Sequence, residues 1–121
     1  MKKEIIIYWV ATVLLCLLVS ASAIMYLINY ESIAEVFRQL GHPTHIIYPL
    51  AIAKILAVVA ILSKQSATLK EWAYAGLFFD FVLAFMAHYY VGDGEYAPAL
   101  IALVLLFTSY FMEKKAFKLA D

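Results

Sequence analysis

Four apolar stretches, at 5–28, 44–62, 72–91 and 96–112, decide what this chain can fold into. A bilayer's hydrocarbon core is about 30 Å thick and a helix rises about 1.5 Å per residue, so each stretch has roughly the length of one transmembrane helix. The first holds no charge and is bracketed by Tyr8-Trp9 and by Tyr26 and Tyr30, the ring types that favour a lipid–water boundary. The second carries one charge, Lys54, and the third carries Asp80 and His88. The fourth is short, has Pro98 in its first turn and closes on Tyr110-Phe111. Composition agrees: 66% of the 121 residues are hydrophobic and 15% charged, against roughly 45–50% and 25% in a soluble domain. The expected fold is an all-α, four-helix transmembrane bundle forming a single integral membrane domain, 1–121. Lys2-Lys3 followed by an apolar run and Ala21-Ser22-Ala23 also has the order of a secretory signal. The run continues to Ile28, beyond a signal's usual length, and is read as a membrane span.

Lysine and arginine mark the cytoplasmic side of a membrane protein. Lys2, Lys3, Lys64, Lys70, Lys114, Lys115 and Lys118 fall on one side of the expected bundle, and only Arg38 lies in a loop on the other, beside Glu31, Glu35, Asp93 and Glu95. Both termini are therefore expected in the cytoplasm. Nine basic and nine acidic residues cancel, so no basic field points to nucleic acid.

The first connection contains a short helix, expected over 32–40 and lying in the membrane interface. Ser32 and Glu35 have capping-box spacing, Gly41 is placed to end the helix, and Pro43 prevents its resumption. Ile33, Val36, Phe37 and Leu40 form an apolar stripe opposite Glu31, Glu35, Arg38 and Gln39. That stripe suits lipid or the bundle top, with docking of a partner as the alternative. Pro49 either kinks the second span or marks its start.

Lys54 lies ten residues before Lys64, and Asp80 ten residues after Lys70. In antiparallel neighbours both side chains fall about 15 Å from the boundary, near the midplane. An unpaired charge there costs at least about 2.5–3.5 kcal/mol, so the two are expected to meet, directly or through water. Small residues share their faces: Ala51 and Ala57 with Lys54; Ala73, Gly76, Ala84, Ala87 and His88 with Asp80; and Thr12, Cys16, Ser20 and Ala23 on the first span. This predicts a small-residue interior with a narrow axial cavity closed by aromatic rings on the cytoplasmic side. Its candidate ligand pocket is Tyr48, Gly76, Ala84, His88, Cys16 and Ser20. The charge pair reads either as a device fixing helix register or as a proton or substrate site.

His42 and His45, with His88 and with Asp93 or Glu95, are the candidate metal ligands, although Pro43 separates the first two and boundary histidines more often serve as hydrogen-bonding residues. There is no zinc spacing, phosphate-binding glycine loop, nucleophile elbow or tandem repeat, and no catalytic residue is assigned. One cysteine, Cys16, excludes an internal disulfide and a self-contained thiol oxidoreductase, which needs an exchanging pair.

The run Lys70-Glu71-Trp72-Ala73-Tyr74-Ala75-Gly76, followed by Asp80, Ala84 and His88, resembles the DoxX-like family of small four-span membrane proteins. The Gly41-His42-Pro43 turn, the Lys54 segment and Ser109-Tyr110 extend the likeness over most of the chain. The resemblance implies kinship with membrane-bound sulfur and thiol redox systems and, in one eukaryotic branch, with proteins that look like receptor-assembly chaperones. Typical members carry a glutamate in the second span where Lys54 stands here, and the family supplies no accepted catalytic residues to carry over.

Three functions follow as expectations. The first is a non-enzymatic accessory or assembly subunit, with a membrane protein or a second copy of the chain as partner within the lipid bilayer. The second is a quinone, lipid or small-molecule binding protein of a membrane redox system; the sequence itself requires no cofactor. The third is a proton-coupled transporter, for which four spans are few.

Overall fold

The computed structural model describes residues 2–117. Lys118, counted in the charge asymmetry, lies outside the described residues. Helix α1, Lys2–Ile28, begins before its apolar stretch because Lys2, Lys3 and Glu4 are good helix formers. It breaks at Asn29, whose φ of −118° and ψ of 46° leave the helical region. The break is one residue long: the Asn29 amide donates to the Met25 carbonyl, and the Asn29 carbonyl accepts from Ile33.

Helix α2, Tyr30–Gln39, therefore starts directly off α1. Ser32 and Glu35 fall inside it rather than at its cap, which corrects the expected capping box: the kink fixes the start, and Asn29 sits at the cap, its side chain donating back to Met25 Sδ and not capping α2. Its end follows the sequence. Gly41 takes a φ of +78°, its amide donates to Arg38, and the His42 amide donates to Phe37. This is a Schellman closure, sealed by an edge-on contact of His42 with Phe37. The apolar stripe turns inward only in part: Phe37 is buried with Ala34 and Ile47, Ile33, Tyr26 and Tyr30 pack around them, and Val36 stays exposed.

A single 3-10 turn, Thr44–Ile46, leads into α3, Ile47–Ser63. Pro49 lies in the first turn of α3, where a missing amide hydrogen costs little, so it marks the start and not a kink. Lys64 ends α3 with a left-handed φ of 56°. Helix α4, Ala67–Val91, starts five residues earlier than expected, because Ser66 caps it and accepts from the Leu69 amide at 3.2 Å. Helix α5, Ala97–Ala116, begins with Pro98 in its first turn and runs past 112 through Glu113, Lys114 and Lys115.

Helix α1 packs against α3 and α5, and α4 packs against the same two. The circular order is α1, α3, α4, α5, with each neighbour antiparallel, so the start of α1 and the end of α5 share one end of the bundle, the terminal end, and α2 caps the other. Among the described residues, four helical segments are long and apolar enough to cross a membrane, and in such a helix the backbone amides are satisfied internally, as lipid requires.

The interior is packed. Leu15, Val19, Ile61, Tyr74, Leu77 and Phe81 meet along the axis, so the expected axial cavity is replaced by large side chains. Near the terminal end the Ser109 hydroxyl lies 2.6 Å from that of Thr12 and 2.7 Å from that of Tyr74. These hydroxyls satisfy one another across three helices where no water competes. Closer still to that end, Glu113 accepts from Lys64 at 3.2 Å and Lys70 at 2.7 Å, while Glu71 accepts from Tyr110 and Lys114. The Lys64 ammonium also lies 4.3 Å from the Tyr8 ring centre and 4.0 Å from that of Phe117. These contacts hold the left-handed turn at Lys64, a conformation that costs a non-glycine residue about 1–2 kcal/mol.

Candidate functional site: a charged groove between two spans

Lys54 is buried in α3 and Asp80 half-buried in α4. The ammonium nitrogen lies 3.8 Å from Asp80 Oδ2, with 8% and 21% of the two side chains exposed. That separation is long for a charge-assisted hydrogen bond, which prefers about 2.7–2.9 Å. The reason is a competing partner on α1. Lys54 instead donates to Ser22 Oγ at 2.7 Å and lies 4.1 Å from the Tyr26 ring centre. Among the described residues, none places a donor within hydrogen-bonding distance of the Asp80 carboxylate.

This pair is not sealed inside the bundle. It lies in a lateral groove of about 740 Å³ between α3 and α4, with lining that runs from Leu50 to Ser63 on one helix and from Ser66 to Asp80 on the other. At about 1.5 Å per residue the groove is about 20 Å long. The pair is close to its α2-side end; Ser63, Gln65 and Ser66 form the mouth at the terminal end. Most of the remaining lining is apolar, and Leu56, Val59 and Trp72 are strongly exposed beside it. Its opening faces the surface that lipid covers.

Of the expected pocket residues, only Gly76 lines this groove with the charge pair. Gly76 is exposed and a Cβ added there would meet nothing within 4 Å, so it widens the groove and is not a point of close helix approach. Cys16 is buried in the packed core. Ser20 and Ala84 are half-buried and line neither groove. Tyr48 stacks on Tyr30 at the α2 end, with ring centres 4.9 Å apart. The pocket does not assemble, because Tyr74, Leu77 and Phe81 hold the axis to which those residues were assigned.

The histidines do not converge either. His42 packs on Phe37, His45 is exposed in the 3-10 turn, and His88 Nδ1 lies 2.8 Å from Asp93 Oδ2. Among the described residues no group of three or more His, Cys, Asp or Glu can hold a metal ion. The Glu95 amide also donates to Asp93, and this bond, with His88 second, holds the Asp93 carboxyl below its ordinary range. His88 thus closes the α4–α5 turn.

Sequence reasoning missed Ser22 and Tyr26. A usable signal existed: Ser22 lies six residues before the end of α1 and Lys54 seven after the start of α3, which sets them at one depth. A second, smaller groove of about 290 Å³ lies between α4 and α5, lined by Phe78, Phe79 and Phe107 with Glu71 and Tyr110.

Neither the curated proteins nor the solved structures searched gave a match to this chain. The family model for the DoxX-like family matches residues 10–111, reaching into all four spans and both sides of the groove. With that match and four apolar spanning helices, the chain is a multi-pass membrane protein that belongs to the DoxX-like family.

Proposed function

We propose that this protein is non-enzymatic and holds a membrane-dissolved amphiphile, of the quinone or lipid class, in the α3–α4 groove, with Lys54 and Asp80 reading its polar end. One observation carries the reading: two opposite charges near mid-bilayer line a lateral groove instead of being closed into the core. A pair serving register alone gains from complete enclosure, since a charge left facing hydrocarbon costs at least about 2.5–3.5 kcal/mol. A ligand with a polar end and an apolar body removes that cost. The groove's volume lies within the roughly 300–1,000 Å³ of small-molecule sites.

The test is mass spectrometry of small molecules that co-purify in mild detergent, with Gly76→Leu as comparator. Leucine at that position projects into open space, so the variant keeps its helical circular dichroism while filling the groove. The expected result is an amphiphile retained by the natural chain and lost from the variant. Identical retained sets overturn the proposal.

The accessory-subunit reading draws on the groove's length of about 20 Å, which also suits one span of a partner. On that reading a membrane protein co-purifies in place of the small molecule, again lost with Gly76→Leu. The packed axis gives the transporter reading no path to build on. The lysine-rich terminal end is assigned to the cytoplasm.

A further inference from the structure

The groove's two charges also constrain what its occupant carries, an argument that rests on the amphiphile reading above. An ammonium group has three N–H donors. One Lys54 donor goes to Ser22, and the Tyr26 ring faces the ammonium group as well, so a donor remains for the Asp80 side of the site. An ionised carboxylate offers about four acceptor positions, and no described residue donates to Asp80; its charge partner stays 3.8 Å away. That gap is too wide for a direct hydrogen bond but narrow enough for one oxygen atom to sit within about 2.8 Å of both groups. Such an oxygen must donate to the carboxylate and accept from the ammonium group, which is the behaviour of a hydroxyl. The pair is neutral in sum, so a charged head would go uncompensated. A phosphate head would also belong at the interface, about 15 Å from this depth.

We infer that the groove takes an elongated neutral alcohol, with its hydroxyl bridging Lys54 and Asp80 and its chain lying along the groove toward Trp72. Trp72 is 68% exposed on the groove lining and eight residues from Asp80, about 12 Å along α4. It therefore reports occupancy. Trp9 is the only other tryptophan and is removed as Trp9→Phe.

The probe is a long-chain primary alcohol brominated about 12 Å from its hydroxyl, titrated into detergent-solubilised protein while Trp72 fluorescence is followed. Its methyl ether, which lacks the donor, and a brominated phospholipid are the controls. The alcohol is expected to quench Trp72 at about tenfold lower mole fraction than the ether, and Asp80→Leu is expected to bring it to the ether's level. Equal quenching by alcohol and ether overturns the hydroxyl assignment while leaving the groove reading standing. An alcohol preference that survives Asp80→Leu also overturns it. Quenching by both probes no stronger than by the phospholipid overturns the groove reading itself. The alcohol–ether comparison is made on the Trp9→Phe chain and needs no change at the charge pair, so it decides the question even if Asp80→Leu fails to fold.

Discussion

Lys54 makes its one short hydrogen bond with Ser22 and only a longer contact with Asp80, so the two halves of the charge pair are not equivalent. Replacing Asp80 with Leu leaves the ammonium group with the Ser22 hydroxyl and the Tyr26 face. Replacing Lys54 with Met leaves a carboxylate that no other described residue serves. Breaking a buried pair costs about 3–5 kcal/mol in general; with Asp80 partly exposed, Lys54→Met should cost about 3 kcal/mol, and Asp80→Leu clearly less. Unfolding titrations in mixed micelles measure both, and equal costs would remove the asymmetry argued from the Ser22 bond. The common depth of the two charges was legible from their spacing to Lys64 and Lys70. Ser22 and Tyr26 were not singled out: the small-residue face read on the first span, of which Thr12, Cys16 and Ala23 are buried, runs beside Ser22 and does not include it. Gly76 misled for a related reason: a small residue permits close helix approach but does not require it.

Helix ends were legible where a residue type dictates backbone geometry and illegible where topology does. Gly41 was placed correctly as the end of α2, since a Schellman closure needs a left-handed residue and Gly41 adopts a φ of +78°. The start of α2 was misplaced because Ser32 and Glu35 have the right spacing at the wrong point. The end of the first span at 28 agrees with that of α1, but α2 resumes one residue later at the Asn29 kink, which the Ser32–Glu35 spacing does not reveal. The start of α4 came early because Ser66 caps a turn that is polar on its surface and so falls outside a hydropathy reading. An added Cβ at Gly41 meets nothing within 4 Å, so the cost of Gly41→Ala is conformational alone, about 1 kcal/mol. Gly41→Asn should recover much of it, since asparagine tolerates the left-handed region. Amide hydrogen exchange across 30–42 measures this as faster exchange in the alanine variant. Unchanged protection would mean that Phe37 and Ile47, not the closure, hold α2 in place.

At the scale of the whole molecule, the four spans were legible because lipid leaves a chain few choices, whereas the filling of the bundle was not. The axis is occupied by Tyr74, Leu77 and Phe81, whose apolar character fits the lipid face as well as the core. Charge partition is the remaining global feature, and it separates two ways of counting. Lys64 and Lys70 are bound to Glu113, and Lys114 to Glu71, so net charge at the terminal end is smaller than its lysine content. Orientation follows the count of lysine and arginine near the spans, to which acidic residues contribute little. By that count the pairing is irrelevant and the terminal end is expected to face the cytoplasm. The native thiol, Cys16, is buried and leaves a silent background for labelling. Ser32→Cys on the exposed face of α2 should react with a membrane-impermeant maleimide on intact cells, and Lys3→Cys only after permeabilisation. The opposite pattern would show that the ion pairs, by cancelling the lysines, take part in setting the orientation of the bundle.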